Sequence, residues 1–288
     1  MSQSLAGRQP LAHYRVINPN TMEDSLRDLV FFPGVSTDTI WSIFNYPELM
    51  CGRVVVDYDE NMGGAAWQDI AQWIGHLPEG YAPSWNIKPT EQIPVAFTDS
   101  EGNKRFEYAY WSLIPPWERQ LKTKYPTFNA RAETAAEKPT FKAAVKHTRC
   151  IIPVTGFYEW TGARGTRIPH AIVGPSTILP MAGLYSWWHD PAAPEDSGWY
   201  LTATILTCKS SGVMESLHDR MPVFMTPALA WEWLDPATMG DQSLVNAVAD
   251  AAVPISKGLR QWPVLPLRGD GPELMQPAPV LPIEVESP

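Results

Sequence analysis

Proline is the feature that most limits the folds open to this chain. Its 288 residues include 29 prolines, which recur along the whole length. A proline inside a helix removes a main-chain hydrogen bond and its ring clashes with the preceding turn, so frequent prolines prevent long helices. We therefore expect short strands and turns with a few short helices.

Short segments rich in β-branched and aromatic residues predict strands, and three segments predict helices. The predicted strands cover residues 50–56, 93–97, 106–113, 151–160, 168–173, 178–187 and 200–206. The predicted helices cover 67–74, 132–147, with an interruption at Pro139, and 228–234. Many strands with few helices predict an α+β fold: a single domain with a curved antiparallel sheet or barrel-like core and flanking helices.

The two ends of the chain differ from its centre. Residues 1–49 show no clear hydrophobic period, and residues 278–288 are proline-rich and acidic. We expect the first segment to be an N-terminal extension, either a mis-assigned start or a segment that is removed, and the last to be a loose tail. Residues 50–277 are expected to form the domain.

Charge is distributed unevenly. The net charge is -9, which argues against a protein that coats nucleic acid without specificity. Residues 119–149 nevertheless hold eight basic and two acidic side chains, a local excess of +6. Such a basic segment is either a solvated helix surface or a phosphate-binding groove.

The cysteines and tryptophans leave alternatives open. Cys51, Cys150 and Cys208 are far apart and odd in number, so no disulfide framework is implied, and the spacings of a metal site are absent. We expect no metal and no cofactor. The 13 tryptophans indicate either a large aromatic core or surfaces on which bases stack.

Four blocks concentrate reactive side chains, namely residues 50–53, 128–134, 149–160 and 217–222. Each block has an ordinary structural explanation. Cys51 is equally expected as a small core residue, Glu159 as the partner of an arginine, and His218 as part of a turn with a local salt bridge. Together they supply a thiol, a carboxylate, an imidazole, an amide and several guanidinium groups, which is the inventory of a reactive site that binds anions.

The order of these blocks resembles the SRAP family (SOS response-associated peptidase), whose members sense abasic sites. The matching segments are residues 50–53, 85–90, 111–115, 129–134, 156–160, 182–184 and 218–222. The resemblance runs from Met50 to about Pro277 and omits the first 49 residues. Several blocks in one order over most of the chain make it far more specific than a single short motif.

The resemblance implies a covalent reaction with abasic sites. An amino-terminal cysteine carries an amine and a thiol on adjacent carbons, and the two can close a thiazolidine ring on the aldehyde of an abasic site. In the family pattern Cys51 is this residue and Asn129 holds it in place. Glu159 acts as general acid and base, and His218 assists proton transfer.

The resemblance also implies a set of DNA contacts. Arg53 and Arg131 are expected to bind phosphates, and Asn86 to shape the same groove. Trp111 and Trp117 are expected to pack against displaced bases. Pro139 occupies a place where relatives can carry a phosphate-binding arginine, and the nearby Lys138 and Lys142 are expected to substitute for it.

Cys51 can react in this way only if it is the first residue, because an internal cysteine has an amide nitrogen. Three explanations stay open: the true start is Met50 and that methionine is removed, the domain cuts away its own extension, or the extension stays and the protein only binds DNA. Two other functions remain as alternatives, a cysteine peptidase acting on external peptides and a noncatalytic module for single-stranded DNA.

The expected partner is single-stranded DNA with abasic sites. No stretch approaches transmembrane length and no apolar leader is evident, so we expect no membrane contact and a cytoplasmic location, at the nucleoid when DNA is bound. A monomer is expected. The sequence names no replication or repair protein as a partner.

Overall fold

The computed structural model describes residues 51–58, 78, 80–163 and 166–279. The predicted extension 1–49, the predicted helix 67–74 and residues 280–288 of the predicted tail lie outside the described residues. At the start of that tail, the main-chain nitrogen of Ala278 donates to the carbonyl oxygen of Pro263 at 2.8 Å.

Short strands dominate the described part of the chain. They are β1 (Val54–Val56), β2 (Ser84–Ile87), β3 (Gln92–Thr98), β4 (Lys104–Trp111), β5 (Asn129–Arg131), β6 (Arg149–Val154), β7 (Gly156–Thr161), β8 (Ile168–Val173), β9 (Leu179–His189), β10 (Trp199–Lys209), β11 (Arg220–Pro222) and β12 (Arg260–Pro263). The α-helices are α1 (Pro139–His147), α2 (Pro227–Leu234) and α3 (Gln242–Ser256).

The larger sheet closes into a barrel. Its strands run in the order β10-β4-β3-β6-β9, and β9 pairs with β10 to complete the circle. The short strands β5 and β11 add to β10. This arrangement confirms the predicted α+β fold with a barrel-like core. Most strand pairs of this sheet are antiparallel, as predicted, and β10 differs in running parallel to both β4 and β5.

The second sheet has five strands in the order β12-β8-β7-β1-β2. The segment 151–160, predicted as one strand, is divided between the barrel strand β6 and the second-sheet strand β7, with Thr155 between them. The main-chain nitrogen of Thr155 donates to the carbonyl oxygen of Val55 at 2.9 Å, which fixes the corner against β1.

Helices form where proline and caps allow them. The predicted helix 132–147 is a short 3-10 helix, Ala132–Thr134, followed by α1, which begins at Pro139 because proline fits the first turn. The longest helix, α3, was not predicted. Its start is capped by Asp241, whose carboxylate accepts from the main-chain nitrogen of Leu244 at 2.9 Å. No helix among the described residues is long and apolar enough to cross a membrane.

The tryptophans divide between core and surface. Trp111, Trp188 and Trp233 are among the largest fully buried side chains, whereas Trp117 and Trp199 are exposed. The interpretation as an aromatic core is therefore confirmed for the buried tryptophans, and base stacking on the exposed ones stays a prediction. Cys51, Cys150 and Cys208 are all buried free thiols, as expected for a chain with no disulfide framework.

Candidate active site around Cys51

Cys51 lies three residues before the start of the second-sheet strand β1. Its side chain is fully buried, and its main chain has φ 44°, in the left-handed region that residues with a side chain seldom adopt. Such a conformation persists only where the surroundings hold it, and it commonly marks a functional position. The cysteine is thus a constrained residue and not simply one more core side chain.

Glu159 holds the main-chain nitrogen of Cys51. Strand β1, which follows Cys51, pairs with β7, which carries Glu159, and Val54 lies opposite Phe157. The carboxylate of Glu159 is only 2% exposed, and its Oε1 accepts a hydrogen bond from the nitrogen of Cys51 at 2.5 Å. A buried acid–base group therefore lies directly at the one atom whose reactivity depends on where the chain begins.

The thiol of Cys51 is held in its neutral form. Burial, and next the negative charge of Glu159, raise the pKa of this thiol well above its usual value of 9.0. Both causes disfavour the thiolate. At neutral pH the sulfur is therefore protonated, and Cys51 differs from the activated cysteine of a Cys–His hydrolase, whose pKa is lowered.

The segment that carries Asn129 approaches the same place. Asn129 opens β5 and pairs with Ile205 of β10. The carbonyl oxygen of the preceding Phe128 accepts from the main-chain nitrogen of Ile205 and from the indole nitrogen of Trp111, both at 3.0 Å. Phe128 shares a pocket with Gly52, so the start of β5 is anchored beside the residue that follows Cys51.

A pocket of about 340 Å³ opens beside Cys51. It is lined by Gly52, Arg53, Pro89, Phe128, Trp160 and Arg167. Two guanidinium groups and two aromatic rings around one cavity suit a group that combines negative charge with a flat or apolar surface. A sugar phosphate with an adjoining base has both properties.

Arg53 is fixed in place at the edge of this pocket. Its Nε donates to Oδ1 of Asn86 at 3.0 Å and its Nη1 donates to the carbonyl oxygen of Gly52 at 2.8 Å. Asn86 is buried and donates in turn to the carbonyl oxygen of Gly269 at 2.7 Å. Asn86 therefore acts on the groove from behind, by orienting the arginine.

His218 lies in the turn that precedes β11. Its side chain is 8% exposed, and Nδ1 lies 2.8 Å from Oδ1 of Asp219 and 3.1 Å from the main-chain nitrogen of Arg220. A neutral Nδ1 accepts from the amide, whereas a protonated one donates to the carboxylate, so the turn can hold either form. The turn considered from the sequence is thus present, and its contact between His218 and Asp219 is a salt bridge only when the imidazole is protonated.

Arg220 lies within the block 217–222, and no role was predicted for it. Its Nη1 and Nη2 pair with the two carboxylate oxygens of Glu133 at 3.1 and 2.8 Å, and Nη2 also donates to the carbonyl oxygen of Thr207. Thr207 is the register partner of Arg131 on the opposite side of β10. Arg220 thereby connects the His218 turn to the end of β5. Its position directly after His218 and Asp219 was the sequence feature from which a structural role could have been predicted.

The proposed DNA contacts fall in different environments. Trp117, Arg131, Lys138 and Lys142 are exposed and accessible to a ligand. Trp111 is fully buried, and its ring packs edge-on against Phe128. The expectation that Trp111 packs against displaced bases was therefore wrong for this conformation, because neither face of its ring reaches solvent.

The prediction that the basic segment 119–149 forms a solvated surface or a phosphate-binding groove was wrong for its last residue. Arg149 is buried, and its guanidinium donates to the carbonyl oxygens of Val145, Lys146, Trp233, Asp235 and Thr238. It holds the end of α1 against the end of α2 and contributes no charge to a phosphate groove. In the described part of the chain, no group of three or more His, Cys, Asp or Glu side chains is placed to bind a metal ion.

A barrel joined to a second sheet, with a strained cysteine held against a buried carboxylate, defines a thiol site of an uncommon kind. The family model of SRAP, SOS response associated peptidase, matches residues 50–266. The chain belongs to the SRAP family.

Two named relatives agree with this membership, and a solved structure shares the fold. The abasic site processing protein YoqW of Bacillus subtilis is 44% identical over 193 residues, which span 65% of this chain and 81% of YoqW. The abasic site processing protein HMCES of Xenopus tropicalis is 30% identical over 227 residues, spanning 65% and 66%. A crystal structure from Bordetella bronchiseptica shares the fold, with a TM-score of 0.59 at 22% identity over 75% of this chain and 100% of that one.

Proposed function

We propose that this chain processes abasic sites in single-stranded DNA by attaching to them covalently through Cys51 when Cys51 is the amino-terminal residue. The observation that carries the proposal is the 2.5 Å contact between the nitrogen of Cys51 and Oε1 of Glu159. The relatives named as abasic site processing proteins support the choice of substrate. The domain proposed for this activity is 50–277.

The reaction joins one cysteine to one aldehyde with loss of one water. The free amine, with a pKa near about 8, is partly neutral at pH 7 and attacks the aldehyde of the ring-opened sugar. Loss of water gives an iminium ion. The sulfur of Cys51 then bonds to the same carbon, the iminium nitrogen takes the electron pair, and the thiol proton leaves. The product is a thiazolidine ring.

Glu159 is the proposed proton carrier for these steps. Its carboxylate can take the proton that the attacking amine releases and return it to the departing hydroxyl group. The same carboxylate can accept the thiol proton during ring closure. Its burial and its contact with the Cys51 nitrogen support this role.

The remaining polar residues have supporting roles in the proposal. Asn129 positions Cys51 from the start of β5. His218 assists proton transfer, and its two alternative hydrogen bonds allow it to change charge without leaving its turn. Arg53 and Arg131 bind flanking phosphates, with Lys138 and Lys142 further along the basic surface. Trp117 contacts bases.

Two observations weigh between this proposal and its alternatives. The raised pKa of the Cys51 thiol disfavours a cysteine peptidase acting on external peptides, because that chemistry needs a thiolate. The alternative of a noncatalytic DNA-binding module shares the basic and aromatic surface but gives no reason to bury a carboxylate against the Cys51 nitrogen. The covalent reaction requires that the residues before Cys51 be absent, through a later start or through self-cleavage.

The test compares two forms of the protein. A chain that starts at Met50 and loses that methionine is incubated with single-stranded DNA containing one abasic site, next to the 288-residue chain. We expect a heat-stable shifted band only where Cys51 is amino-terminal, with an intact mass equal to protein plus DNA less one water. Cys51→Ala in the short form should abolish the band and retain salt-sensitive DNA binding.

Each alternative predicts a different pattern. A conjugate of equal heat stability in the Cys51→Ala variant would refute the covalent role of this residue. Repeated cleavage of an added peptide would favour the peptidase. Equal, salt-reversible retention of DNA by both forms, with no conjugate, would favour the noncatalytic module.

A further inference from the structure

Exposed aromatic rings gather where the loop 115–126 meets the hairpin made by β9 and β10. Trp117 in the loop is 58% exposed, and Tyr200 on β10 is 39% exposed. Large rings in contact with water at adjoining elements mark a binding surface more often than isolated exposed residues do. The question is which of them face the same way.

Hydrogen bonds place the loop on the Tyr200 face of the hairpin. Tyr200 is the register partner of Trp188, and their ring centroids are 5.6 Å apart. The indole nitrogen of the buried Trp188 donates to the carbonyl oxygen of Glu118 at 2.9 Å. Thr202 lies on this same face because side chains alternate along a strand, and its hydroxyl accepts from the nitrogen of Ile114 at 3.0 Å. The chain from Ile114 to Glu118 therefore covers the face that carries Tyr200.

The loop that carries Trp117 is also basic. Arg119, Lys122 and Lys124 are exposed, and Glu118 is the single acidic residue among residues 115–126. Lys124 lies over the ring of Tyr125, with its Nζ 5.4 Å from the ring centroid. Exposed aromatic rings beside exposed cations match the two components of a single-stranded nucleic acid: the rings match its bases and the cations match its phosphates.

Trp199 lies on the opposite face of the hairpin. It is the neighbour of Tyr200 along β10, is 56% exposed and lies 4.9 Å from the ring of His189. Side chains alternate along a strand, so Trp199 points away from the face on which the basic loop lies. Trp199 is therefore outside this surface, although it is the larger and more exposed ring.

We propose that Trp117 and Tyr200 form one surface, here called the aromatic platform, on which unpaired bases of single-stranded DNA stack, with Arg119, Lys122 and Lys124 holding the phosphates. The proposal rests on the proposed function for its DNA partner and adds Tyr200 as a contact residue. The platform binds noncovalently and does not depend on Cys51 being amino-terminal.

The test uses the 288-residue chain and a labelled oligothymidine without abasic sites, so that no conjugate can form. Fluorescence anisotropy gives the Kd of the unsubstituted chain and of the variants Tyr200→Leu, Tyr200→Phe and Trp199→Leu. Leucine keeps apolar packing against Trp188 and removes the π face. We expect Tyr200→Leu to raise the Kd about 5-fold or more, the effect of losing one base–aromatic stack. Tyr200→Phe keeps the ring and should retain the original Kd, as should Trp199→Leu.

The outcomes separate the platform from the proposed function. An unchanged Kd in Tyr200→Leu, or an equal loss in Trp199→Leu, overturns the platform while the DNA partner stands. Failure of the unsubstituted chain to bind oligothymidine also overturns the platform, whereas the proposed function is tested separately by conjugate formation between the Met50-start form and abasic DNA. A Tyr200→Phe variant as weak as Tyr200→Leu would show that the hydroxyl and not the ring is responsible, and would equally overturn base stacking at this position.

Discussion

The main-chain nitrogen of Cys51 lies 2.5 Å from Oε1 of Glu159, and both residues are buried. The two residues are 108 positions apart along the chain. A carboxylate withdrawn from water normally needs a partner. For Glu159 one such partner is the nitrogen of Cys51. This nitrogen is an ordinary amide when Cys51 lies within a longer chain, and it is a nucleophilic amine when Cys51 is the first residue.

Replacing Glu159 with glutamine distinguishes two roles of this side chain, its hydrogen bond with the nitrogen of Cys51 and proton transfer. The amide oxygen of glutamine can still accept from the nitrogen of Cys51, but it cannot carry a proton. We expect the rate of conjugate formation to fall about 10²- to 10⁴-fold with the fold retained. Single-turnover assays by denaturing gel measure this rate. Glu107→Gln, on the surface of β4, is the control and should react normally; equal rates in the two variants would exclude proton transfer by Glu159.

Asn86→Ala tests whether Arg53 is oriented from behind. Loss of the contact between Arg53 Nε and Asn86 Oδ1 frees the guanidinium, which must then be immobilised when DNA binds. We expect the Kd for single-stranded DNA to rise about 2- to 10-fold, the cost of ordering one long side chain. Titration by anisotropy measures it. Asn103→Ala, which removes an exposed amide that bonds Asp99, should leave the Kd unchanged.

Arg149→Met tests the corrected role of this residue. The substitution leaves carbonyl oxygens of two helix ends without their donor, including those of Val145 and Trp233. We expect the free energy of unfolding to fall by about 3 kcal/mol or more, measured by denaturant titration. The exposed Lys146→Met on α1 should change it by less than about 0.5 kcal/mol. Similar values for the two would show that Arg149 belongs to the solvated surface after all.

Cys208 predicts a loss of stability at alkaline pH. Burial, aided by Glu133, raises the pKa of its thiol from 9.0 to about 11 in the folded chain. The unfolded chain therefore releases this proton first, so the stabilising contribution is complete below pH 9.0 and is lost as the pH rises towards about 11. Thermal melting between these limits should show a shallower decline in Cys208→Ala. An identical slope in both proteins would contradict the raised pKa.

Local chemistry explains which parts of the fold were predictable. The strand segments contain enough β-branched and aromatic residues to be recognised without their partners, and Pro139 marks the start of α1 because proline fits only the first turn. The helix α3 was missed although its signals were present. Asp241 caps it, and Leu244, Val245, Val248 and Ala252 recur at helical spacing on its buried side.

Long-range partners explain what could not be predicted. Trp111 and Trp117 look alike in the sequence, yet one donates to the carbonyl oxygen of Phe128 within the core and the other faces water. The burial of Arg149 depends on α2, more than 80 residues away. The parallel pairing of β10 with β4 and β5 likewise depends on how the barrel closes, which no local pattern encodes.

The corner at Thr155 fixes which face of β7 carries Glu159. A single residue separates β6 from β7, and alternate residues of a strand point to opposite faces. If one residue were inserted at this corner and the pairing of β7 shifted by one position, Tyr158 would take the place of Glu159 and the carboxylate would face away from Cys51. The proposed reaction therefore depends on the chain length between the barrel and the carboxylate as well as on the carboxylate itself.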